Sequence, residues 1–312
     1  LKHTFWKRHG IPTVRGCVPL LGHILPMLTK RMNFAELIHR AYLEHKDQSM
    51  VGFYKGTKPV LIIRDPNLVK TVLQSNFHNF HENAMKVLPE ADPLLSKNPF
   101  FCYGEEWSTG RKRLTYAFSN VRLKVLFTAI SGVCKKFDDY LNRRLKTSNK
   151  YEVNMKTLFL KFTCEIVTTA GLGIEGFCLD DDAGASSPYN VPFTSETFVE
   201  SLSTIIPFHF PSINRLLKLN ILSKSLDTFF RNVVSENLKL RRNASTPKND
   251  FLQLMIEMEK TGEVIDEESV AAHAVSFYMD GTETSSITLN FIGHNLAAHP
   301  EIQEKLRKEV KS

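Results

Sequence analysis

The chain has 312 residues, 42% of them hydrophobic, with 40 Lys+Arg against 33 Asp+Glu for a formal net charge of +7. That mix is too apolar for a disordered segment, and the length suffices to bury a sizeable core in one or two domains. No run of 18 uninterrupted apolar residues occurs, so nothing in the sequence reads as a membrane span, while the opening Leu1 leaves room for an anchor upstream.

In chain order, residues 10–26 combine Gly10, Pro12, Gly16, Pro19, Gly22 and Pro26 with apolar residues and form a stiff, packed lead-in. Asn33 with Glu36 is a capping box that opens a helix to about His45. Two β-rich runs, Met50 to Tyr54 and Val60 to Arg64, flank Gly56-Thr-Lys-Pro59 and predict a hairpin, after which Asp65-Pro66 starts a helix. Helices follow at about 104–118, 122–146, 155–170, 193–205, 222–243 and 249–260, with a polar loop at 176–192 that holds Asp180-Asp-Asp182. The charge is uneven along this path: residues 1–150 carry 25 Lys+Arg and 11 Asp+Glu, residues 151–312 carry 15 and 22. Much of the basic excess lies between Arg111 and Lys150. It reads either as a solvated helix face or as a stripe for an acidic partner, an anionic membrane surface or nucleic acid.

The last long element is a helix over 266–298. Asp266 is its N-cap, Glu267 and Glu268 suit the positive end, and Ile265 with Val270 form a hydrophobic staple. No proline interrupts before Pro300. The flanks Ala274 to Met279 and Ile287 to Ile292 are apolar, which predicts a central, buried helix. Its middle, Asp280-Gly-Thr-Glu-Thr-Ser-Ser286, breaks that pattern with two carboxylates, four hydroxyls and a glycine. Gly281 costs about 1 kcal/mol against Ala, and an unpaired buried carboxylate costs more. The glycine admits a flat group to the backbone, and an acid beside an alcohol and a water makes a proton relay. The alternative is a water-filled kink without chemistry.

At Gly281-Thr-Glu283-Thr284-Ser285 the sequence resembles the long central helix of the cytochrome P-450 haem-thiolate monooxygenases. A second mark is Trp107-Ser-Thr-Gly-Arg111, whose spacing puts the indole and guanidinium on one helix face. Further similarity lies in the lead-in, in Ile63-Arg-Asp65-Pro66 with Asn76-Phe77-His-Asn-Phe80, in Asn249-Asp-Phe-Leu252, and in His299-Pro-Glu-Ile-Gln-Glu-Lys-Leu-Arg307. These marks run in family order along nearly the whole chain and are nearest to the insect microsomal detoxification branch.

The resemblance implies a mainly α fold with a small β-sheet, present as one incomplete P-450 domain over 1–312. It also implies haem b as cofactor, an NADPH-dependent reductase, a lipophilic small-molecule substrate, and the cytosolic face of the endoplasmic reticulum membrane. By the same resemblance Glu283 and Thr284 are catalytic, Glu283 relaying protons and Thr284 holding the bound water or oxygen. Gly281 then gives close approach to haem, and Trp107 and Arg111 hold a propionate. Two departures stand out. Asp280 occupies a position where Ala or Gly is usual. None of Cys17, Cys102, Cys134, Cys164 and Cys178 has the surroundings of the family's haem-ligand cysteine, so the expectation is a chain that stops before that region and is inactive alone. Glu304-Lys-Leu-Arg307 has the letters of the family's Glu-x-x-Arg pair but follows the central helix directly and is not that pair.

Other signals are weaker. Gly171-Leu-Gly-Ile-Glu-Gly176 fits G-x-G-x-x-G but follows a helical run, against a dinucleotide site. His78 and His81 lack a metal-ligand spacing, and the odd, unpaired cysteine set indicates a reducing compartment. Phe198, Ile205, Ile206 and Phe208 are either pocket lining or ordinary core. Two rival functions remain: a noncatalytic binding or decoy product of the same family, and a basic helical nucleic-acid binder. The motifs of known nucleic-acid modules are absent, so no nucleic-acid partner is expected.

Overall fold

The computed structural model describes the chain apart from residues 1, 83–84, 148–150, 181–186, 188, 190–204, 245–247, 249 and 261–265. Among the described residues it is mainly helical with one two-stranded antiparallel sheet, and it divides into two units, 1–84 with 204–219 and 85–203 with 220–312. The longer helices are numbered below; single-turn helices are given by residue range.

The first unit is organised on the hairpin. β1 (Met50–Lys55) pairs with β2 (Lys58–Ile63), Met50 opposite Ile63 and Lys55 opposite Lys58. Gly52 sits in β1 because the Trp6 ring lies where its Cβ would be, 2.3 Å from Cγ, and Trp6 Nε1 donates to Phe53 O at 3.0 Å. The lead-in runs alongside: Val14 N donates to Gly52 O and Gly52 N to Pro12 O. His23 is buried, with Nδ1 accepting from Tyr54 N at 2.9 Å and Nε2 placed 2.8 Å from Val14 O. That pairing suits the neutral ring, and burial lowers its pKa. α1 (Phe34–Glu44) opens with both bonds of the capping box, Glu36 N to Asn33 Oδ1 and Asn33 N to Glu36 Oε2, each 2.8 Å. Its Leu37 and Ala41 pack with Val14, Ile24, Val51 and Phe53. Asp65 caps Pro66–Lys70 by accepting from Asn67 N and Leu68 N. Ile205, Ile206 and Phe208 belong to this unit; Phe198 and the body of the 193–205 helix lie outside the described residues.

The second unit holds α2 (Gly104–Ala117), α3 (Asn120–Thr147), α4 (Met155–Ile166), α5 (Lys224–Arg242), α6 (Phe251–Lys260), α7 (Glu267–Ala298) and α8 (Pro300–Lys311). The sequence places a regular helix to residue 170; instead α4 widens into a π turn over Val167–Leu172 and ends at Gly173, whose φ is +64°. A Cβ there would collide with Asp250, which pairs with Arg241, both side chains about 95% buried. Arg241 Nη2 also donates to Leu172 O at 2.7 Å. The glycine run 171–176 is therefore a helix stop packed on a buried ion pair, and no strand leads into it.

α7 packs chiefly on α4 and α5. Asp266 caps it by accepting from Ser269 N, and its 32 residues, about 48 Å at 1.5 Å each, run unbroken. The staple with Ile265 lies outside the described residues. One expectation is corrected. Val270 to Ser276 and Tyr278 are buried, but Ile287, Phe291 and Ile292 are exposed, Phe291 at 61%. α4 still packs on this C-terminal half, Gly293 lying against Met155 and Phe159, so the exposed residues are those on the faces that α4 does not cover. α8 also exposes apolar residues, Ile302, Leu306 and Val310. Its Glu304 and Arg307 form an exposed i,i+3 pair at 2.8 Å.

Candidate functional site

A groove of about 710 Å3 opens in the second unit between α2, α3, the α4 end with its π turn, α6 and α7. Its size is ordinary for a small-molecule site, about 300–1,000 Å3. Apolar side chains dominate it: Leu126 and Ile130 from α3, Ile166 and Val167 from the turn, and Phe251 and Phe277 from α6 and α7. Phe277 is held between two rings, Phe118 stacked at 5.3 Å and Phe251 at 4.3 Å. The polar lining residues are fewer: Arg111, Thr115, Arg122, Asp250, Ser276, Asp280 and Ser285. Arg122 is committed to Glu257 at 2.8 Å and Asp250 to Arg241. Arg111 is exposed, and its guanidinium makes no ion pair among the described residues. Partial burial raises the Asp280 carboxyl above its ordinary pKa.

Of the residues singled out in the sequence, Arg111, Asp280, Gly281 and Ser285 line the same groove. Trp107 is one turn before Arg111 on α2, half-buried, and does not line the groove. Thr284 lines a shallower recess of about 360 Å3 that shares Ile166, Gly281 and Ser285 with the main groove. Its hydroxyl donates to Asp280 O on its own helix. Glu283 points elsewhere, to Lys156 Nζ of α4 at 3.3 Å, with its side chain only 14% exposed. The Glu283 carboxylate thus has a cation beside it, but its Oε1 is buried without a hydrogen-bond partner.

Two of the other notch hydroxyls bond within the helix, Thr282 donating to Tyr278 O and Ser286 to Glu283 O, as Thr288 just beyond the notch does to Thr284 O, the back-bonding that lets hydroxyls sit inside a helix. Thr163 of α4 donates across to Thr282 O at 2.9 Å, in a fully buried bond. Gly281 has a packing reason of its own, since a Cβ would lie 2.6 Å from Val167 Cγ2. Sequence reasoning missed Lys156, Thr163 and the Phe118–Phe277–Phe251 stack. Nothing local marks the first two, and the rings read as ordinary core. His78 and His81 are surface residues, His81 Nδ1 lying 2.7 Å from His78 O, and no cluster of metal-ligating side chains occurs among the described residues.

The cytochrome P450 family profile matches residues 12–312. The chain belongs to the cytochrome P450 family. Similar curated proteins include the probable cytochrome P450 28d1 of Drosophila melanogaster, 29% identical, with 98% of this chain aligned to 62% of that protein. Cytochrome P450 6d3 of Musca domestica and cytochrome P450 9e2 of Blattella germanica are each 27% identical, with 99% of this chain aligned to 63% of theirs. The chain therefore spans less than two thirds of the length of these P450 relatives.

Membership implies haem b as the cofactor. The groove fits one side of such a group: apolar walls for a flat macrocycle, and in its lining the Arg111 guanidinium, suited to a carboxylate. It does not supply the axial ligand, since none of the five cysteines lines it. Among the described residues no single helix is long and apolar enough to cross a membrane.

Proposed function

We propose that the protein to which this P450 chain belongs is a haem-dependent monooxygenase of lipophilic substrates, driven by O2 and by electrons from an NADPH-dependent reductase on the cytosolic face of the endoplasmic reticulum. The observation that carries the reading is the apolar groove between Arg111 and the Asp280–Ser285 stretch of α7, in a chain that matches the P450 family over nearly all its length. Bound haem with a thiolate ligand supplies O2 activation. The residues of this chain have narrower tasks. Arg111 takes a propionate, with Trp107 supporting it from the same helix face. Gly281 lets Val167 and the α4 turn close on α7, which sets the depth of the wall.

Thr284 and Glu283 are proposed to move protons at that wall. The Thr284 hydroxyl already has an acceptor in Asp280 O, so its oxygen is free to accept from a water in the recess. Glu283, held as a carboxylate by Lys156, sits one residue away; once released from Lys156 it can take a proton from solvent and pass it toward the recess. The basic face after Arg111, including exposed Lys112, suits an acidic reductase. The chain alone is proposed to be inactive because it offers the groove no sulfur ligand.

Labelled-oxygen incorporation tests the reading. The full-length protein with a reductase and NADPH should place one atom of O2 in a lipophilic product. Thr284→Ala should lower product per NADPH several-fold while peroxide release rises. Product formation without O2, or with a label from water alone, overturns the assignment. A noncatalytic binding product of the same family predicts no turnover with any reductase.

A further inference from the structure

We propose that Cys164 and Cys178 are a redox modification site, closing to a reversible disulfide that locks the α4 wall of the groove under a peroxide-class oxidant. Their sulfurs lie 3.3 Å apart, and both residues are fully buried. No other pair of sulfurs is in contact among the described residues. A disulfide needs an S–S distance of about 2.05 Å, so the sulfurs must approach by about 1.3 Å. The surroundings hold them for that. Cys164 is fixed on α4, its Sγ 2.8 Å from Tyr189 O and 3.6 Å from Tyr278 Oη. Cys178 is held to the same helix because its backbone N donates to Glu165 Oε2 at 2.9 Å, and Glu165 is itself paired with Lys136 at 3.3 Å. Gly176 permits the approach, since a Cβ there would lie 2.4 Å from Thr168 Oγ1.

The two thiols differ in character. The neighbouring thiol and the Ser187 hydroxyl hold Cys178 below the ordinary thiol range, whereas the contact with Cys178 and burial push Cys164 up. Cys178 is thus the attacking sulfur and Cys164 the resolving one. With hydrogen peroxide, the Cys178 thiolate bonds to one oxygen as the O–O bond breaks. The departing hydroxide takes up a proton as water, leaving a sulfenic acid on Cys178. Cys164 then attacks that sulfur; the S–S bond forms, the S–O bond breaks, and the hydroxyl leaves with the Cys164 proton as a second water. Two thiols are oxidised by two electrons and one peroxide is reduced to two waters.

The ring so closed spans residues 165–177, and with them Ile166, Val167, Ala170 and Gly171 of the groove wall. Oxidation therefore stiffens the surface that faces Phe277 and Gly281 without adding anything to the groove. This mark is independent of haem content and turnover, so its failure leaves the monooxygenase reading untouched.

The test treats the folded full-length protein with hydrogen peroxide, quenches in acid, alkylates in denaturant and maps the peptides by mass spectrometry. The expected product is one cross-linked peptide pair, Cys164 with Cys178, two hydrogens lighter than the dithiol and reopened by dithiothreitol, while Cys17 and Cys102 are recovered alkylated. In Cys164→Ala, a dimedone-type probe should instead trap a sulfenic acid on Cys178. Recovery of both cysteines as alkylated thiols, at a dose that oxidises exposed Cys134, overturns the proposal. So does cross-linking to a different cysteine, or an equal yield in the urea-unfolded chain. The wild-type cross-link is decisive even where the alanine variant does not fold.

Discussion

Gly281 is required by its neighbour in the fold before any ligand is considered: a methyl group at that position would meet Val167 Cγ2 at 2.6 Å. Gly281→Ala gains helix propensity of about 1 kcal/mol but overpacks a tight helix crossing, so a net loss of about 1–2 kcal/mol is expected in denaturant unfolding. Val167→Ala in the same chain should recover most of it, and a Gly281→Ala chain as stable as its parent would contradict the packing. Asp92 carries a different strain. Its carboxylate accepts from Ile221 N at 2.8 Å and Leu222 N at 3.0 Å, yet burial outweighs those donors and pushes its pKa from 3.8 up to about 6. The folded chain holds a proton there that the unfolded chain releases between those values. Stability from Asp92 is therefore full below pH 3.8 and lost as pH rises through about 6. Asp92→Asn should flatten that part of the stability–pH profile; an unchanged slope would assign it to other groups. At Arg111 the expectation concerns binding: Arg111→Leu in the full-length protein should lower haem retained per chain several-fold, read by absorbance after gel filtration, with far-ultraviolet dichroism unchanged.

Among the elements, the π turn after α4 depends on the buried pair Arg241–Asp250, which ties α5, α6 and Leu172 O together. Arg241→Met leaves Asp250 buried without its cation and should cost about 3–5 kcal/mol in unfolding; adding Asp250→Leu should restore part of that. Equal losses in the single and double variants would show that the charge pairing is immaterial. This clamp is not legible in the sequence, where Asn249-Asp-Phe-Leu252 stands out only by family resemblance, because its three partners are 69 and 9 residues apart in the chain. The elements that were legible carry their signals locally: the Asn33–Glu36 capping box, the hairpin about Gly56, and the Asp266 cap of α7. The site was half legible. Arg111 and Gly281 do share a groove, but Glu283 turns to Lys156 and Trp107 lies off the lining, and both outcomes depend on how helices rotate against each other. Periodicity states which residues share a face of α7. It does not state which face has a neighbour, and so it predicts a buried position for Ile287 and Phe291, which are exposed.

For the chain as a whole, two features follow from composition and packing together. Six large apolar residues exposed between Ile287 and Val310 on α7 and α8 are many for a soluble surface. The 312-residue chain alone should self-associate at micromolar concentration in light scattering, and Phe291→Ser with Leu306→Ser should reduce this; a monodisperse parent would contradict it. The positive excess of the first 150 residues gives electrostatic steering to Lys112 and Arg113. Reversing both to Glu should slow reductase-dependent electron delivery about tenfold at low salt, and equal rates would remove this face from reductase docking. The most direct measurement is the reduced carbon monoxide difference spectrum, taken on the full-length protein and on the 312-residue chain. The Soret band of a thiolate-ligated haem is expected from the full-length protein alone. Its absence there, or its presence in the shorter chain, would contradict the groove as one wall of a haem site completed elsewhere.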